Sequence, residues 1–289
     1  MRECACGFFF VSPRPTRDEL EHFYSKEYFD SAPGGRGFTD YLPTSFARVG
    51  EGRLMGRALR RDQPGGRVLD VGCGAGDFLS GVRQESDWQA FGTDLSPQAI
   101  ELARREPGLE LFCGELSEAR FPDAHFDAVF LRNVLEHVPE PAALLAEVRR
   151  ITRPGGRVRL LVPNGRTELA PFAAAARRGE RALDVQAHLN FFTPAFFRRW
   201  LEAAGFCVER IYTLGLKRGL FELGYLPRSW KVSARHAAAS GGRPRSAPAW
   251  KQSLAYAYIR RTLKSSLKIP IWLPLGQELH AVVGRPEGS

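Results

Sequence analysis

Several features that define common protein classes are missing from this 289-residue sequence. No apolar run approaches the roughly 18 to 20 residues that a membrane-spanning helix needs. The first 15 residues contain Arg14 and two prolines where a secretory signal peptide has a long apolar stretch, so we expect no such signal. Cysteines number only five, an odd count that argues against a disulfide framework. This usage predicts free thiols in a reducing compartment, the cytoplasm.

Positive charge is in excess, but one stretch of the chain carries it. Residues 198–268 contain 15 Lys or Arg and 3 Glu, whereas the rest of the chain contains 26 basic and 29 acidic residues. The larger part of the protein is therefore nearly neutral. The basic stretch fits attraction to an anionic partner or membrane surface, and it fits a solvated, arginine-rich face equally well. The sequence leaves both interpretations open.

Hydropathy patterning predicts an α/β domain, because short apolar runs of strand type alternate with helical patterns over residues 66–212. The predicted strands are Arg67–Val71, Ala90–Asp94, Glu110–Cys113, Phe126–Leu131, Arg157–Val162, Phe206–Tyr212 and, near the end of the chain, Leu279–Val283. Helices are predicted over Pro97–Arg105 and Pro141–Thr152. We expect Pro154-Gly155-Gly156 to end the second helix and to turn the chain into the next strand.

The chain divides into four parts around this pattern. They are an N-terminal cap or lid (residues 1–60), the main domain (61–212), a basic insertion (213–276), and a closing strand with a tail (277–289). Two helices are predicted in the cap, near Arg17–Ser25 and over Thr44–Arg61. If the closing strand pairs with Phe206–Tyr212, the insertion leaves the domain from one edge of the sheet.

The strongest local pattern is an apolar strand, Val68-Leu69-Asp70-Val71, that runs into the turn Gly72-Cys73-Gly74-Ala75-Gly76 and then into a helix. Glycines permit a sharp turn and let the backbone approach a ligand closely. A dinucleotide-binding turn has its third Gly or Ala three residues after the second, where this chain has Asp77, a carboxylate that does not suit pyrophosphate. Since Asp70 adds negative charge nearby, we predict a ligand that carries an ammonium or sulfonium group.

The next predicted strand ends in Asp94, within Phe91-Gly92-Thr93-Asp94-Leu95-Ser96. A carboxylate at the tip of the second strand can bind both hydroxyls of a ribose. The competing role, the N-cap of the following helix, is better assigned to Ser96, which precedes Pro97. The two acids therefore indicate a positively charged cofactor that contains a nucleoside.

Five motifs in order carry a resemblance to a known family: VLDVGCGAGDFL, FGTDLSPQAIELAR, FDAVFLRNVLEHVPEP, ITRPGGRVRLLVPN and HLNFFTPAFFRRWLEAAGF. Over about residues 66–212 the chain resembles class I S-adenosylmethionine-dependent methyltransferases, in the broad group that includes the ubiquinone-biosynthesis O-methyltransferases. The resemblance implies a Rossmann-like, seven-stranded, mostly parallel sheet with helices on both faces. In that fold Leu279–Val283 is the antiparallel strand.

The resemblance also assigns residues to the implied cofactor, S-adenosyl-L-methionine. The expected contacts are Asp70, Gly72, Cys73, Gly74, Gly76, Asp94, Leu95, Glu115, Leu116, Arg132 and Asn133. The glycine backbone would pass against the cofactor, Asp70 would lie near its ammonium group, and Asp94 would hold its ribose hydroxyls. Leu95, with Glu115 and Leu116, would flank the adenine, although the family usually has Asp in place of Glu115. The last two residues would lie beside the methionine moiety.

Two histidines are the catalytic candidates. Methyl transfer from a sulfonium is an in-line displacement, and it needs a general base only where the acceptor must lose a proton. His137 follows the strand that borders the methyl group, and His188 begins the last motif; orientation of loops is the alternative role of both. Some ubiquinone-type relatives carry Glu-x-x-Glu-His and are thought to bind a divalent metal there. Because this chain has Asn133 in place of the first carboxylate, we predict no metal.

Two further segments invite an interpretation. Cys4-Ala5-Cys6-Gly7 resembles the second half of a zinc ribbon, but no matching pair precedes it, so a truncated remnant is predicted. The alternatives are zinc held in trans and zinc completed by a ligand from elsewhere in the chain. The aromatic residues that follow (Tyr24, Tyr28, Phe29 and Tyr41) are predicted to cover the cofactor. The segment 253–275 interleaves apolar and basic residues, which fits weak contact with an anionic membrane surface or a helix packed on the core.

The sequence thus predicts methyl transfer to an oxygen or nitrogen of a small metabolite, a sugar or a lipid-linked acceptor. A competing hypothesis is an RNA or protein methyltransferase that docks through residues 198–268. The motif Asn-Pro-Pro-Tyr, which is typical of base methylation, is missing from the sequence, which argues against nucleic acid as a partner. Two further hypotheses are a protein that binds the cofactor without turnover and a dinucleotide oxidoreductase.

Overall fold

The computed structural model describes residues 1–22, 45–170, 173, 188–215, 269–270 and 276–287. The strands are β1 (Arg2–Glu3), β2 (Phe9–Phe10), β3 (Arg67–Val71), β4 (Gln89–Asp94), β5 (Leu109–Cys113), β6 (Phe126–Arg132), β7 (Thr152–Pro163), β8 (Asn190–Phe191), β9 (Cys207–Leu214), β10 (Ile269–Pro270) and β11 (Glu278–Gly284). The α-helices are α1 (Arg17–His22), α2 (Ser45–Asp62), α3 (Asp77–Glu85), α4 (Pro97–Ala103), α5 (Pro141–Ile151), α6 (Gly165–Glu168) and α7 (Pro194–Ala203). A 3₁₀ helix spans Leu116–Ala119.

One large sheet has the strand order β10-β9-β11-β7-β6-β3-β4-β5. Strands β5, β4, β3, β6 and β7 are parallel neighbours, and β11 lies antiparallel between β7 and β9. The predicted seven-stranded, mostly parallel sheet is therefore confirmed, and the two-residue β10 extends it at the β9 edge. The closing strand β11 pairs with β9, the strand after α7, so the condition that the sequence analysis set for an insertion at this edge is met.

Both faces of the sheet are covered, because side chains that alternate along each strand enter two different cores. On β3, Leu69 and Val71 join a cluster with α5 and α7, whereas Val68 joins a cluster with α3 on the opposite face. Asp70 shares the face of Val68 and is completely buried there. The parallel arrangement brings the carboxyl ends of β3, β4 and β6 to one edge, which is where a ligand binds in such sheets.

Helices α2 and α3 approach each other closely, because glycines form their contact. A Cβ on Gly52 of α2 would overlap the carbonyl oxygen of Phe78, and a Cβ on Gly81 of α3 would overlap the carbonyl oxygen of Val49. Only glycine permits this separation of the two helix backbones. The contact holds α2 over the helix that follows the glycine turn.

One predicted boundary differs from the structure. Helix α5 ends at Ile151 and strand β7 begins at once with Thr152, so Pro154-Gly155-Gly156 lies inside the strand and does not separate the two elements. The register of β7 against β6 shifts there, since Phe126 faces Thr152 whereas Ala128 faces Arg157. The apolar pattern resumes only at Arg157, which is why the hydropathy profile places the strand start too late.

The cysteine-containing N-terminus forms a small second sheet, β1-β2-β8. Phe8 stacks on Phe196 with 4.8 Å between ring centroids, and it contacts Phe192 at 5.5 Å. Cys4 and Cys6 are exposed on this hairpin. The sequence interpretation as a remnant did not anticipate that the hairpin pairs with the segment next to His188.

Several predictions fall on residues outside the described ones. They concern the lid residues Tyr24, Tyr28, Phe29 and Tyr41, the segment 253–275, and most of the insertion 213–276. Among the helices that are described, none combines the length and the apolarity that crossing a bilayer requires.

Candidate functional site

The glycine turn connects β3 to α3 with three residues in the left-handed region. Gly72, Gly74 and Gly76 have φ of 71°, 56° and 78°. The N–H groups of Gly72 and Cys73 both donate to the carbonyl of Thr93 on β4, at 2.7 and 2.9 Å. Because that hydrogen bonding ties the turn to the neighbouring strand, the turn is fixed before any ligand arrives.

Two close contacts explain why glycine is required both in the turn and on the neighbouring strand β4. A Cβ on Gly72 would lie 2.6 Å from Cγ2 of Val134, a residue of the loop after β6. A Cβ on Gly92 of β4 would lie 2.7 Å from the sulfur of Cys73. The Cys73 side chain is accordingly buried against β4, and this residue can meet a ligand only through its backbone.

Asp77, the residue that argued against pyrophosphate, begins α3 and pairs with Arg48 of α2 at 3.0 Å. This carboxylate occupies the helix N-terminus, where a dinucleotide enzyme would place its phosphates. The structure therefore agrees with the sequence argument against a dinucleotide.

Asp70 and Arg132 form a buried ion pair beside the turn. Nη2 of Arg132 donates to Oδ2 of Asp70 at 3.0 Å, Nη1 lies 3.4 Å from Oε2 of Glu51, and the guanidinium lies 3.8 Å from the ring centroid of Phe78. Burial raises the pKa of Asp70, and the charge and hydrogen bond of Arg132 oppose that rise. Oδ1 of Asp70 is buried and has no hydrogen-bond partner among the described residues, so it is available to an ammonium group.

Asp94 ends β4 and is held by two backbone N–H groups. Its Oδ2 accepts from Gly74 at 2.8 Å and its Oδ1 accepts from Ser96 at 2.9 Å. Burial raises the pKa of Asp94, and these two hydrogen bonds counteract that rise. Each carboxylate oxygen keeps a further lone pair for a ribose hydroxyl. Ser96 caps α4, as the sequence predicts, since its hydroxyl accepts from Ala99.

The four remaining residues expected at the cofactor lie in different environments. Leu95 is 43% exposed, an unusual exposure for leucine and a suitable platform for a flat ring. Leu116 is buried in the core, and the side chain of Glu115 caps the 3₁₀ helix in a reciprocal pair with Glu118. Asn133, at the end of β6, is exposed with φ of 55°, in the left-handed region that non-glycine residues rarely adopt. The roles assigned to these four residues stay predictions.

A second polar cluster follows β6 and contains both predicted histidines. The rings of His137 and His188 meet edge to face with centroids 4.7 Å apart. Glu136 lies beside them, with its Oε1 3.8 Å from Nε2 of His137. Nδ1 of His188 forms a short hydrogen bond with Glu168, a residue of α6. The structure thus brings together the two histidines that the sequence reasoning named as catalytic candidates, Glu136, which it weighed only in the argument against a metal, and Glu168, which it did not use.

Burial decides the electrostatics of this cluster. Glu136 is 1% exposed, and burial raises its pKa to about 8, although the charge of His188 acts against the rise. Burial alone would lower the pKa of His188, but its hydrogen bond to Glu168 and the charges of Glu168 and Glu136 outweigh this effect and raise the pKa. His188 is therefore a stronger base than a free imidazole.

Asn190 fastens the cluster to the loop after β6. Its side-chain nitrogen donates to the carbonyls of Leu135 and Val138 at 2.9 and 2.7 Å, and its oxygen accepts from Arg14 at 3.2 Å. The backbone N–H of Asn190 also donates to the carbonyl of Glu136. These bonds hold the two histidine-bearing segments in one arrangement.

The magnesium ion implied by the ubiquinone-type motif does not fit these residues. Mg²⁺ prefers oxygen ligands in octahedral geometry. Asn133 occupies the place of the first carboxylate and lies exposed at the strand end, while two of the three donors that meet inside the cluster are imidazoles. We therefore derive no step that uses magnesium.

Together, the sheet order and the turn define a Rossmann-like domain, a fold in which ligands bind at the carboxyl ends of the strands. A family model described as "Methyltransferase domain" matches residues 46–211. A ubiquinone biosynthesis O-methyltransferase from Xanthomonas axonopodis pv. citri is 35% identical over 170 residues, 55% of this chain and 70% of that protein. The chain belongs to the class I S-adenosylmethionine-dependent methyltransferase family, whose cofactor is S-adenosyl-L-methionine.

Two other comparisons define the extent of the similarity. An uncharacterized 37.1 kDa protein of transposon TN4556 from Streptomyces fradiae is 35% identical over 141 residues; the match covers 46% of this chain and only 41% of the length of that protein. The crystal structure of Burkholderia thailandensis 1,6-didemethyltoxoflavin-N1-methyltransferase, with 1,6-didemethyltoxoflavin and S-adenosylhomocysteine bound, is 15% identical with a TM-score of 0.54, and the alignment covers 97% of this chain and 95% of that one. This likeness concerns the fold.

The sequence reasoning missed the partners of the named residues. Glu51 reaches Arg132 from α2, and Glu168 reaches His188 from α6. Glu136 stands next to His137 in the sequence, so a buried acid beside the candidate base is the one signal that could have been used. Glu51 and Glu168 lie in segments without a motif, and nothing local indicates where they point.

Proposed function

We propose that this protein transfers a methyl group from S-adenosyl-L-methionine to an oxygen or nitrogen of a small metabolite, a sugar or a lipid-linked acceptor. The observation that carries the proposal is the turn between two acids: Asp70, buried with Oδ1 available, and Asp94 at the tip of the next strand. A positively charged nucleoside suits this pair, because each end of the cofactor meets a carboxylate. Family membership supports the same chemistry.

In this proposal the chain divides the cofactor among its strands. The backbone of the glycine turn lies against its centre, Asp94 binds the ribose hydroxyls, and Leu95 packs on the adenine. Asp70 and Arg132 meet the methionine end, the first through the ammonium group and the second through the carboxylate. This complementarity accounts for the buried ion pair of Asp70 and Arg132, in which Oδ1 of Asp70 has no hydrogen-bond partner among the described residues.

The acceptor is proposed to lie at the histidine cluster. His137 and His188 are the groups that would activate it, because a hydroxyl or an ammonium must lose its proton before it can attack the sulfonium carbon. An oxygen acceptor is favoured, since the 35% identical relative is named as an O-methyltransferase. We further propose that the protein works in the cytoplasm, as its cysteine usage predicts.

Calorimetry with a substituted Asp94 tests the cofactor site. Asp94→Ala should weaken binding of S-adenosylhomocysteine by at least about tenfold, because it removes the ribose acceptor and the hydrogen bonds from Gly74 of the turn and from Ser96. Glu101→Gln is the matched control, since this acid lies exposed on α4, paired only with Arg104 among the described contacts. Either of two results would refute the proposed cofactor site. One is that Asp94→Ala binds S-adenosylhomocysteine as tightly as the wild type does, and the other is that the protein binds NADH in place of this ligand.

The acceptor is identified in a second step. Incubation with S-adenosylmethionine labelled in its methyl group and with extract fractions from the source organism should label a small or lipid-extractable product. Label that appears only in RNA or protein fractions would contradict the proposed acceptor class. Asp94→Ala serves as the inactive control in this assay.

A further inference from the structure

Arg14, which follows strand β2 of the N-terminal hairpin, carries a charge that no acid among the described residues neutralises. The residue is half-buried, and its Nη1 is buried without a hydrogen-bond partner. Nη2 donates to Oδ1 of Asn190 at 3.2 Å, and the guanidinium lies 5.7 Å from the ring centroid of Phe10. A neutral amide and an aromatic ring leave the positive charge without a counter-ion, which is costly where water is excluded.

Two other half-buried arginines of the described chain show what Arg14 lacks. Arg132 pairs with the carboxylate of Asp70 at 3.0 Å. Arg285 donates to three backbone carbonyls. Arg14 has a single neutral acceptor in the same part of the structure, so an anion from outside the chain would supply the partner that is missing.

The position of Arg14 puts such an anion near the histidine cluster. Asn190 lies between the two, because its Oδ1 accepts from Arg14 while its Nδ2 donates to the carbonyls of Leu135 and Val138. One amide side chain therefore separates the guanidinium from the loop that carries His137. Strand β2 also pairs directly with β8, which fixes the hairpin against the same segment.

We propose that Arg14 binds an oxyanion of the methyl acceptor, a carboxylate or a phosphate ester, and thereby selects anionic acceptors. This site rests on the proposed function, which puts the acceptor at the histidine cluster, and it adds the acceptor's chemical class. A guanidinium suits both kinds of group, because its parallel N–H donors match two oxygens of a carboxylate or a phosphate.

The charges around the cluster are compatible with an anionic acceptor. Burial raises the pKa of Glu136 to about 8, so this acid is mostly neutral at pH 7 and does not repel an anion. Glu168 is hydrogen-bonded to Nδ1 of His188. The excess of basic over acidic residues in 198–268 attracts anions over a longer range and increases the rate at which they meet the protein.

Ligand-observed NMR at low ionic strength tests the anion site without the reaction. Benzoate and phenyl phosphate are titrated into the full chain in the presence of S-adenosylhomocysteine, and benzyl alcohol reports apolar adsorption alone. We expect saturable binding of at least one of the two anions with a Kd of about 1–5 mM, which benzyl alcohol does not displace. The anion that binds more tightly shows whether a carboxylate or a phosphate is preferred.

Substitution of Arg14 identifies the residue that binds the anion. Arg14→Gln should weaken this binding at least about fivefold, because glutamine keeps a donor for Asn190 but carries no charge. Arg53→Gln is the matched control, since Arg53 also donates to an amide oxygen, that of Gln84, but lies exposed on α2. Unchanged affinity for S-adenosylhomocysteine shows that each variant is folded. Equal binding of the anions by Arg14→Gln and wild type, or binding of neither anion by wild type, would overturn the proposal.

Kinetics with a labelled acceptor separate this site from the proposed function. Fractions that accept label should yield a product that an anion-exchange resin retains, and Arg14→Gln should raise the KM for that acceptor at least about tenfold, with a smaller change in kcat. A neutral labelled product, with the same KM for Arg14→Gln and wild type, would refute the role of Arg14 and leave methyl transfer intact. If no fraction accepts label although the anions bind at Arg14, the proposed function fails and the anion site stands.

Discussion

At the scale of single residues, the glycine turn contains positions where no side chain is tolerated. Gly72 combines φ of 71° with a Cβ position only 2.6 Å from Val134. The left-handed conformation costs a non-glycine residue roughly 1–2 kcal/mol, and the contact adds to this cost. Backbone geometry and packing therefore impose the same residue independently.

Gly72→Ala should lower the free energy of unfolding by roughly 1–3 kcal/mol and weaken binding of S-adenosylhomocysteine. Urea unfolding and calorimetry measure the two effects. In a Val134→Ala background the overlap between the new Cβ and Cγ2 of Val134 is removed, but the cost of the left-handed backbone conformation persists. The decrease in the free energy of unfolding caused by Gly72→Ala should therefore be smaller there, but not zero.

Gly50→Ala provides the control for Gly72→Ala, because a Cβ on Gly50 in α2 meets nothing within 4 Å. This substitution should leave stability equal or slightly higher, since alanine favours a helix. If both alanine variants unfold at the same urea concentration, the argument from the turn geometry is wrong.

Residues that act together locally could be predicted from the sequence. The turn glycines and Asp70 are neighbours along the chain, and Asp94 follows because parallel strands bring their carboxyl ends to one edge. Contacts that depend on how distant segments pack could not be predicted. Arg132 and Glu51, which form an ion pair, are 81 residues apart in the sequence. His188 lies close to Glu136 only because Asn190 and the N-terminal hairpin hold the segment before β8 against the loop after β6.

At the scale of elements, Asp127 joins the beginnings of three strands at the edge of the sheet opposite the glycine turn. It lies on β6, accepts from the backbone of Arg67 on β3 at 2.7 Å and from Gln63 at 3.3 Å, and pairs with Arg153 in the bulge of β7. Burial would raise the pKa of Asp127, but these hydrogen bonds and the charge of Arg153 outweigh the effect of burial and lower the pKa from its ordinary value. The ionised form is thus the one that the fold stabilises.

Asp127→Asn should reduce the free energy of unfolding at pH 7 by roughly 1–3 kcal/mol, because two charge-assisted hydrogen bonds are lost. Since the pKa is lower in the folded state, this contribution is complete above the unfolded value near 3.9 and disappears as the pH falls through the folded value. The difference between the two proteins should therefore narrow below about pH 4. Urea unfolding between pH 7 and pH 3 measures it.

Asp123→Asn is the comparison for Asp127→Asn, since this aspartate pairs with Arg150 but its side chain is 79% exposed. Exposed ion pairs contribute about 0–1 kcal/mol, so its loss should be small at every pH. A gap between wild type and Asp127→Asn that stays constant down to pH 3 would contradict the titration argument.

At the scale of the whole molecule, β11 completes the sheet. It lies between β7 and β9, and its residues Leu279, Ala281 and Val283 are buried in the main core. Arg285 follows at once and donates to the backbone carbonyls of Arg149, Arg150 and Thr152. Strand β11 thus stabilises β7 and β9, which precede it in the sequence.

Removal of β11 should prevent folding. A chain that stops after Gly276 leaves the facing edges of β7 and β9 unpaired and removes buried apolar side chains, so we expect insoluble protein. A chain that stops after Pro286 keeps β11 and Arg285 and should unfold at the same temperature as the full chain. Soluble yield and thermal unfolding by circular dichroism report the result. Cooperative unfolding of the shorter chain would show that β11 is dispensable.

The order of synthesis gives this closing strand a further consequence. Strand β9 leaves the ribosome first, and the 63 residues 215–277 must be translated before β11 begins. At about 5–20 residues per second, this takes roughly 3 to 13 s. Throughout that interval the facing edges of β7 and β9 keep unpaired N–H and C=O groups, and the main core lacks the apolar side chains of β11, which exposes the nascent chain to aggregation.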